Sequence, residues 1–236
     1  MNLNQALDAI RKGEFVLISD SPDREGETDL VIAAEKVGPA HIAKMRRDGG
    51  GLICVALHPK IANNFGLPYM TKIYESASPT HEVLNATTPD DIPYDERSAF
   101  SITVNHRQTY TGVTDSDRAL TIRELGKLGS GSFDGPAIKE FGREFRSPGH
   151  VPILRAAGEL VAERQGHTEL AVALMEMAGV TPVAVVCEML DAETSEALAG
   201  NRVKTYAEDD DLVLLDGEEI VRAYSDWSEQ DPQEGD

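Results

Sequence analysis

Leu3, Ala6, Leu7 and Ile10 recur at helical spacing and Gly13 is a natural stop, so the chain is predicted to open with a helix. Residues 15–18 then read as a buried strand. The following segment, Asp20-Ser21-Pro22-Asp23-Arg24-Glu25-Gly26-Glu27-Thr28-Asp29, reads as a loop, and residues 30–34 as a second strand. Pro39 is placed to open a helix reaching residue 48, and residues 51–57 read as a third strand. Residues 58–97 have little period beyond a short helix at 59–65 and a loop at 89–95. A strand is expected at 100–104, and Thr114-Asp115 is placed to cap a helix over 119–128. Residues 129–149, rich in Gly, Ser and Pro, read as the longest loop, followed by a short apolar run at 151–154. Leu170, Val172, Ala173, Leu174 and Met177 suit a helix that starts near Thr168 and stops at Gly179. Strands at 183–187 and 212–215 enclose one more helix that ends before Asp209. Strands and helices mix without a clean βαβ rhythm, which predicts a single compact α+β or α/β domain. It is expected to span residues 1–225, ahead of a disordered tail, 226–236, with five acids and no base.

Composition narrows the function. An apolar content of 41% over 236 residues supports a sizeable core. The chain carries 41 acidic against 22 basic residues, a net charge of −19. That surplus repels phosphodiester backbones and anionic membranes, so neither nucleic acid nor membrane is an expected partner. It fits a very soluble protein, and also one adapted to high salt, which would be less stable at low ionic strength. The two cysteines, Cys54 and Cys187, lie in apolar runs and read as buried thiols rather than a disulfide. No apolar run approaches the ~18 residues of a membrane helix, and the N-terminus shows no signal pattern. A cytoplasmic enzyme is expected.

Four constellations offer chemistry. Glu25, Glu27 and Asp29 alternate, and in extended chain alternate residues share a face that suits a hard cation. The spacing is not that of an EF-hand, and a solvated acidic turn is the competing reading. Arg24 among these acids either neutralises them or binds an anion beside the metal. The second is Arg164-Gln165-Gly166-His167-Thr168-Glu169, ahead of a helix with Thr168 as the expected N-cap. Free N–H groups, an arginine and a glycine there would grip a phosphate, with His167 alongside as metal ligand or acid–base group. An ordinary capping turn is the alternative. The third, Arg146-Ser147-Pro148-Gly149-His150, places a histidine at the end of the long loop, or in a plain surface turn. The fourth is Glu188, a carboxylate closing an apolar strand, either functional or solvated. No P-loop, Cys-x-x-Cys, His-Glu-x-x-His or Gly-x-Ser-x-Gly motif is present. Together they suggest a metal-dependent enzyme acting on a small sugar phosphate.

Six ordered segments resemble the 3,4-dihydroxy-2-butanone 4-phosphate synthase family of riboflavin biosynthesis. They are Asp23-Arg24-Glu25-Gly26-Glu27-Thr28-Asp29-Leu30, Gly51-Leu52-Ile53-Cys54, Thr111-Gly112-Val113, Arg146-Ser147-Pro148-Gly149-His150-Val151, Arg164-Gln165-Gly166-His167-Thr168-Glu169 and Val186-Cys187-Glu188. Gly26 and Thr28 depart from the family's usual Asn and Gly. The long segment 58–98 looks like the archaeal branch, and the chain resembles the monofunctional form. The resemblance implies a mixed α/β sandwich and a homodimer with sites near the subunit interface. It implies a lyase that converts ribulose 5-phosphate to 3,4-dihydroxy-2-butanone 4-phosphate and formate. Glu25 and His167 would hold Mg2+ (or Mn2+), with Glu27 nearby. Arg24, Asp29, Arg164, Gln165, Gly166, His167 and Thr168 would bind substrate, with Arg164 and Thr168 nearest the phosphate. His150 and Glu188 would transfer protons, and Cys54 and Asp20 would line the pocket. The alternatives are another metal-dependent sugar-phosphate isomerase or aldolase, or a non-catalytic acidic metal-binding protein.

Overall fold

The opening helix forms as its spacing predicts: α1 (Asn2–Lys12) buries Ala6, Ala9 and Ile10. The structure, a computed structural model, describes residues 2–131 and 135–230. Strand β1 (Val16–Ser19) follows, and β2 (Thr28–Ala33) begins earlier than expected, so Thr28 and Asp29 belong to the sheet rather than to the acidic loop. Helix α2 (Pro39–Lys44) ends in a widened π turn at Met45–Gly49, ahead of β3 (Cys54–Leu57). The segment without clear period holds α3 (Pro59–Asn64), α4 (Met70–Ala77) and α5 (Glu82–Ala86). Strand β4 (Phe100–His106) leads to α6 (Asp115–Gly129), whose N-terminus is capped by the Thr114 hydroxyl accepting from the Asp117 N–H.

Among its described residues the expected long loop holds regular structure, and residues 132–134 of it lie outside the described residues. It contains α7 (Ile138–Glu144) and the first half of β5 (Phe145–Arg155), so Arg146 to His150 lie in a strand. In that half only Phe145 and Arg146 pair with β4, a register shift leaves Ser147 to His150 without ladder partners, and β3 joins only at Ile153 to Arg155, so the missing N–H of Pro148 costs no ladder bond. Helix α8 (His167–Ala178) starts one residue before Thr168: Gly166 is the extended N-cap, and the β conformation a cap needs falls there. Strand β6 (Val183–Glu188), a small hairpin of β7 (Leu190–Asp191) and β8 (Glu196–Ala197), α9 (Asn201–Asp209), β9 (Val213–Asp216) and α10 (Gly217–Gln230) complete the chain. Helix α10 runs through residues 226–230, where disorder was expected, because Val221, Ala223, Tyr224 and Trp227 pack on the core. Residues 231–236 of the expected tail lie outside the described residues.

Seven strands form one mixed sheet in the order β4-β5-β3-β6-β2-β1-β9. Pairs β1/β9 and β3/β5 are parallel, and the other four are antiparallel. Period-two alternation divides the central strands between two layers. Val31, Cys54, Ala56, Ala184 and Val186 pack with α1, α8 and α10, whereas Leu30, Ile32, Val55, Leu57, Val185 and Cys187 pack with α2, α6 and α9. Each large side chain so buried contributes about 1.5–3 kcal/mol of transfer free energy. The architecture is an α/β sandwich. Cys54 and Cys187 are free and buried in opposite layers, which keeps their sulfurs apart. Among the described residues no helix is long and apolar enough to cross a membrane.

Candidate active site

Sheet register assembles the floor of the site. Asp29 of β2 stands opposite Glu188 of β6, and Cys54 of β3 stands opposite Val186. All four face the layer that holds α8, whose first turn lies over them. Glu188 is seated against the glycine turn before β3: its Oε2 accepts from the Leu52 N–H at 2.7 Å. A Cβ at Gly51 would lie 2.3 Å from that oxygen, so only glycine leaves room for the carboxylate.

The acidic loop is tied down by its own first residue. Buried Asp20 accepts from the backbone N–H of Glu25 at 3.2 Å and of Glu27 at 3.0 Å. That turn directs Glu25 at α8, where its Oε2 lies 3.4 Å from Nδ1 of His167. Nε2 of His167 lies 3.7 Å from Oδ1 of Asp29. Ligand atoms of Asp20, Glu25 and His167 all fall within 4.8 Å of one another. Asp29 Oδ1 and His167 Nε2 are buried without a hydrogen-bond partner, a state that a bound cation or a polar ligand would relieve. Two carboxylates and an imidazole fit a divalent cation, with the oxygens suiting a hard ion.

The charges respond to this crowding. A hydrogen bond from His167 holds the Glu25 carboxyl below the ordinary range. Burial drives Asp29 up to about 7. Burial opposes charge on His167, but Asp29, Glu25 and Asp20 outweigh it and raise the imidazole to about 9. Glu27 is raised by burial and by the neighbouring charges of Glu25 and Glu188. Cys54 is pushed up by burial and by Glu188, so it lines the site as a neutral thiol rather than a nucleophile.

Beside the acids lies an arginine cluster. Arg164 donates to Asp95 Oδ2 from Nε at 2.7 Å and contacts it from the adjacent guanidinium nitrogen at 2.6 Å. Its other terminal nitrogen donates to Glu169 at 2.5 Å, and Glu169 also accepts from the Ala157 N–H at 2.9 Å. Arg24 donates to the same Asp95 oxygen at 3.1 Å. A cavity of about 270 Å³ joins Glu25, Asp29, Cys54, Arg164, His167, Thr168 and Glu188, with Phe100, Leu154 and Val186 as apolar wall. Arg24 and Gln165 line the adjoining cleft with Arg164, and Gly166 contributes the N-cap of α8.

His150 stands apart from this group. It is exposed on β5, it does not line the cavity, and its ring nitrogen lies 3.1 Å from the Asn105 amide. Conversely, sequence reasoning missed Tyr94, Asp95 and Arg97, which wall the cavity. The sole signal was an acid and an aromatic after Pro93, in a segment without period.

The 3,4-dihydroxy-2-butanone 4-phosphate synthase family model matches residues 4–223. The synthase of Methanothermobacter thermautotrophicus is 51% identical over 225 residues, covering 95% of this chain and 96% of its own. That of Archaeoglobus fulgidus is 51% identical over 230 residues, covering 97% and 96%. A crystal structure of a 3,4-dihydroxy-2-butanone 4-phosphate synthase in complex with two magnesium ions aligns with a TM-score of 0.76 at 32% identity, over 96% of this chain and 97% of that one. A cation-free form aligns with a TM-score of 0.75 at 30% identity, over 96% and 98%. A matching fold, a matching length and a shared sequence place the protein: the chain belongs to the 3,4-dihydroxy-2-butanone 4-phosphate synthase family, lyases that convert ribulose 5-phosphate to that product and formate in riboflavin biosynthesis.

Proposed function

We propose that the chain carries out the family reaction in the cavity beneath α8, with Glu25 and His167 holding magnesium or manganese and Asp20 completing the cation's surroundings. The convergence of Asp20, Glu25 and His167 within 4.8 Å carries this reading. A divalent cation bound there would polarise the ketone and its neighbouring hydroxyl, making the adjacent carbon acidic. Arg24, Arg164 and Thr168 take the phosphate, since the first turn of α8 presents N–H groups to an anion. Asp29, whose carboxyl is pushed up by burial, faces the same cavity and can exchange a proton with the substrate. Glu188 is fixed by the Leu52 N–H and faces the same space, as a second proton-transfer group. Glu27 supports the metal ligands from the same turn.

His150 is the remaining proton-transfer group, and it reaches a cavity from a second copy of the chain. Its exposure, and that of Tyr110 and Val113 in the nearby loop, supports a homodimer. The enzyme works in the cytoplasm. Incubation with ribulose 5-phosphate and magnesium should release formate, and EDTA should stop it. Isomerisation or cleavage without formate would favour another sugar-phosphate enzyme. No turnover, with or without metal, would leave a binding protein.

A further inference from the structure

Arg24 and Arg164 each already hold a carboxylate. Arg164 turns one whole edge of its guanidinium to Oδ2 of Asp95 and gives its other terminal nitrogen to Glu169. Arg24 reaches the same Asp95 oxygen at 3.1 Å. A single anionic oxygen therefore sits where two guanidinium groups converge, the arrangement that a phosphate oxygen adopts between arginines. The two carboxylates on Arg164 are held differently. Glu169 belongs to α8 and is anchored by the Ala157 N–H. Asp95 belongs to residues 88–99, which form neither helix nor strand.

We propose that Asp95 is a positioning residue that stands in for the substrate's phosphate between Arg24 and Arg164 and is displaced when that phosphate binds. This rests on the reading that those arginines grip the phosphate. A phosphate dianion and the Asp95 carboxylate cannot share the place, because like charges in contact repel strongly in a half-buried site. With neither anion present, two guanidinium groups would face each other across the cleft. Asp95 keeps them paired and aimed until substrate arrives. Burial works against charge on Asp95, but Arg164 and Arg24 hold its carboxyl below the ordinary range, so it is ionised at neutral pH. An internal anion also sets a threshold. A ligand must offer more charge than one carboxylate to take its place, which selects a phosphate ester over an uncharged sugar or a sugar acid.

Calorimetric titration of inorganic phosphate into Asp95→Asn and unaltered enzyme tests this. Asp95→Asn should bind phosphate about tenfold more tightly, because no internal anion competes, and KM for ribulose 5-phosphate should fall without a rise in kcat. Unchanged or weaker phosphate binding would overturn the proposal, since Asp95 would then only scaffold the arginines. Asp95→Ser serves as a second variant should the amide fail to fold. Arg164→Gln separates the underlying reading: if it leaves phosphate binding intact, the arginines are not the phosphate site. If it abolishes binding while Asp95→Asn gains none, the displacement alone is wrong.

Discussion

Nδ1 of His167 lies 3.4 Å from Oε2 of Glu25, joining the first turn of α8 to the acidic loop after β1. The imidazole thus lies between the carboxylates of Glu25 and Asp29. Glu25→Gln and His167→Ala should each lower turnover by more than about 100-fold, as expected when a Lewis acid is lost. Calorimetry should show weakened magnesium binding in both, and thermal unfolding should move little. Near-normal turnover in either variant would remove that residue from the metal site.

The same relationship predicts a pH dependence for metal binding. His167 is raised to about 9 by its carboxylate neighbours, so at neutral pH the metal-free imidazole is protonated. A cation can bind that nitrogen only after the proton leaves. Apparent magnesium affinity should therefore climb as pH rises from about 6 and level off above about 9, with a proton released on binding. Titrations in two buffers of different ionisation enthalpy would count that proton. Affinity independent of pH across this window would mean that His167 is not a ligand.

The legible parts of the fold were those with a core face. Helices α1, α6 and α8 and the central strands announce themselves because apolar spacing records burial. Helices α4 and α5 bury none of their residues, so their sequences carry no such period. The first half of β5 hides behind Pro148 and Gly149, tolerated because a register shift against β4 leaves them outside the ladder and β3 does not pair there. At the site, the acidic loop and the α8 turn were each visible, but no spacing rule joins Glu25 to His167. Their pairing came from family resemblance, and the fold accounts for it. Asp29 and Glu188 meet through antiparallel register, which one strand alone cannot reveal. Asp95 was missed because its segment has neither period nor motif.

Gly51 offers a test of how tightly Glu188 must be held. A Cβ there would meet Glu188 Oε2 at 2.3 Å, its Cβ at 2.7 Å and its backbone oxygen at 2.8 Å. The backbone contact means that side-chain rotation alone cannot relieve the clash. Gly51→Ala should destabilise by about 1–3 kcal/mol, as overpacking does, and should lower kcat by turning Glu188 away from the cavity. Adding Glu188→Ala should recover part of the stability and none of the activity, because contacting residues couple. Wild-type activity in Gly51→Ala would show that the carboxylate's place is not critical.

His150 gives the clearest test of a shared site. It is exposed, bonded to Asn105 and absent from the cavity wall of its own chain. If it acts in the cavity of a second copy, His150→Ala and Glu25→Gln damage different halves of one composite site. Each variant alone should be nearly inactive. When the two are mixed and allowed to exchange subunits, half of the dimers are hybrids. In each hybrid, one site collects both defects and the other collects neither, so about a quarter of wild-type activity should return under C2 symmetry. Were His150 to serve its own chain's cavity, every site in the hybrid would carry one defect, and mixing would recover nothing. Native mass spectrometry of the same mixture separates hybrid from parent dimers by their mass and verifies that exchange took place, so silence in the activity assay counts against the shared site and not against the mixing.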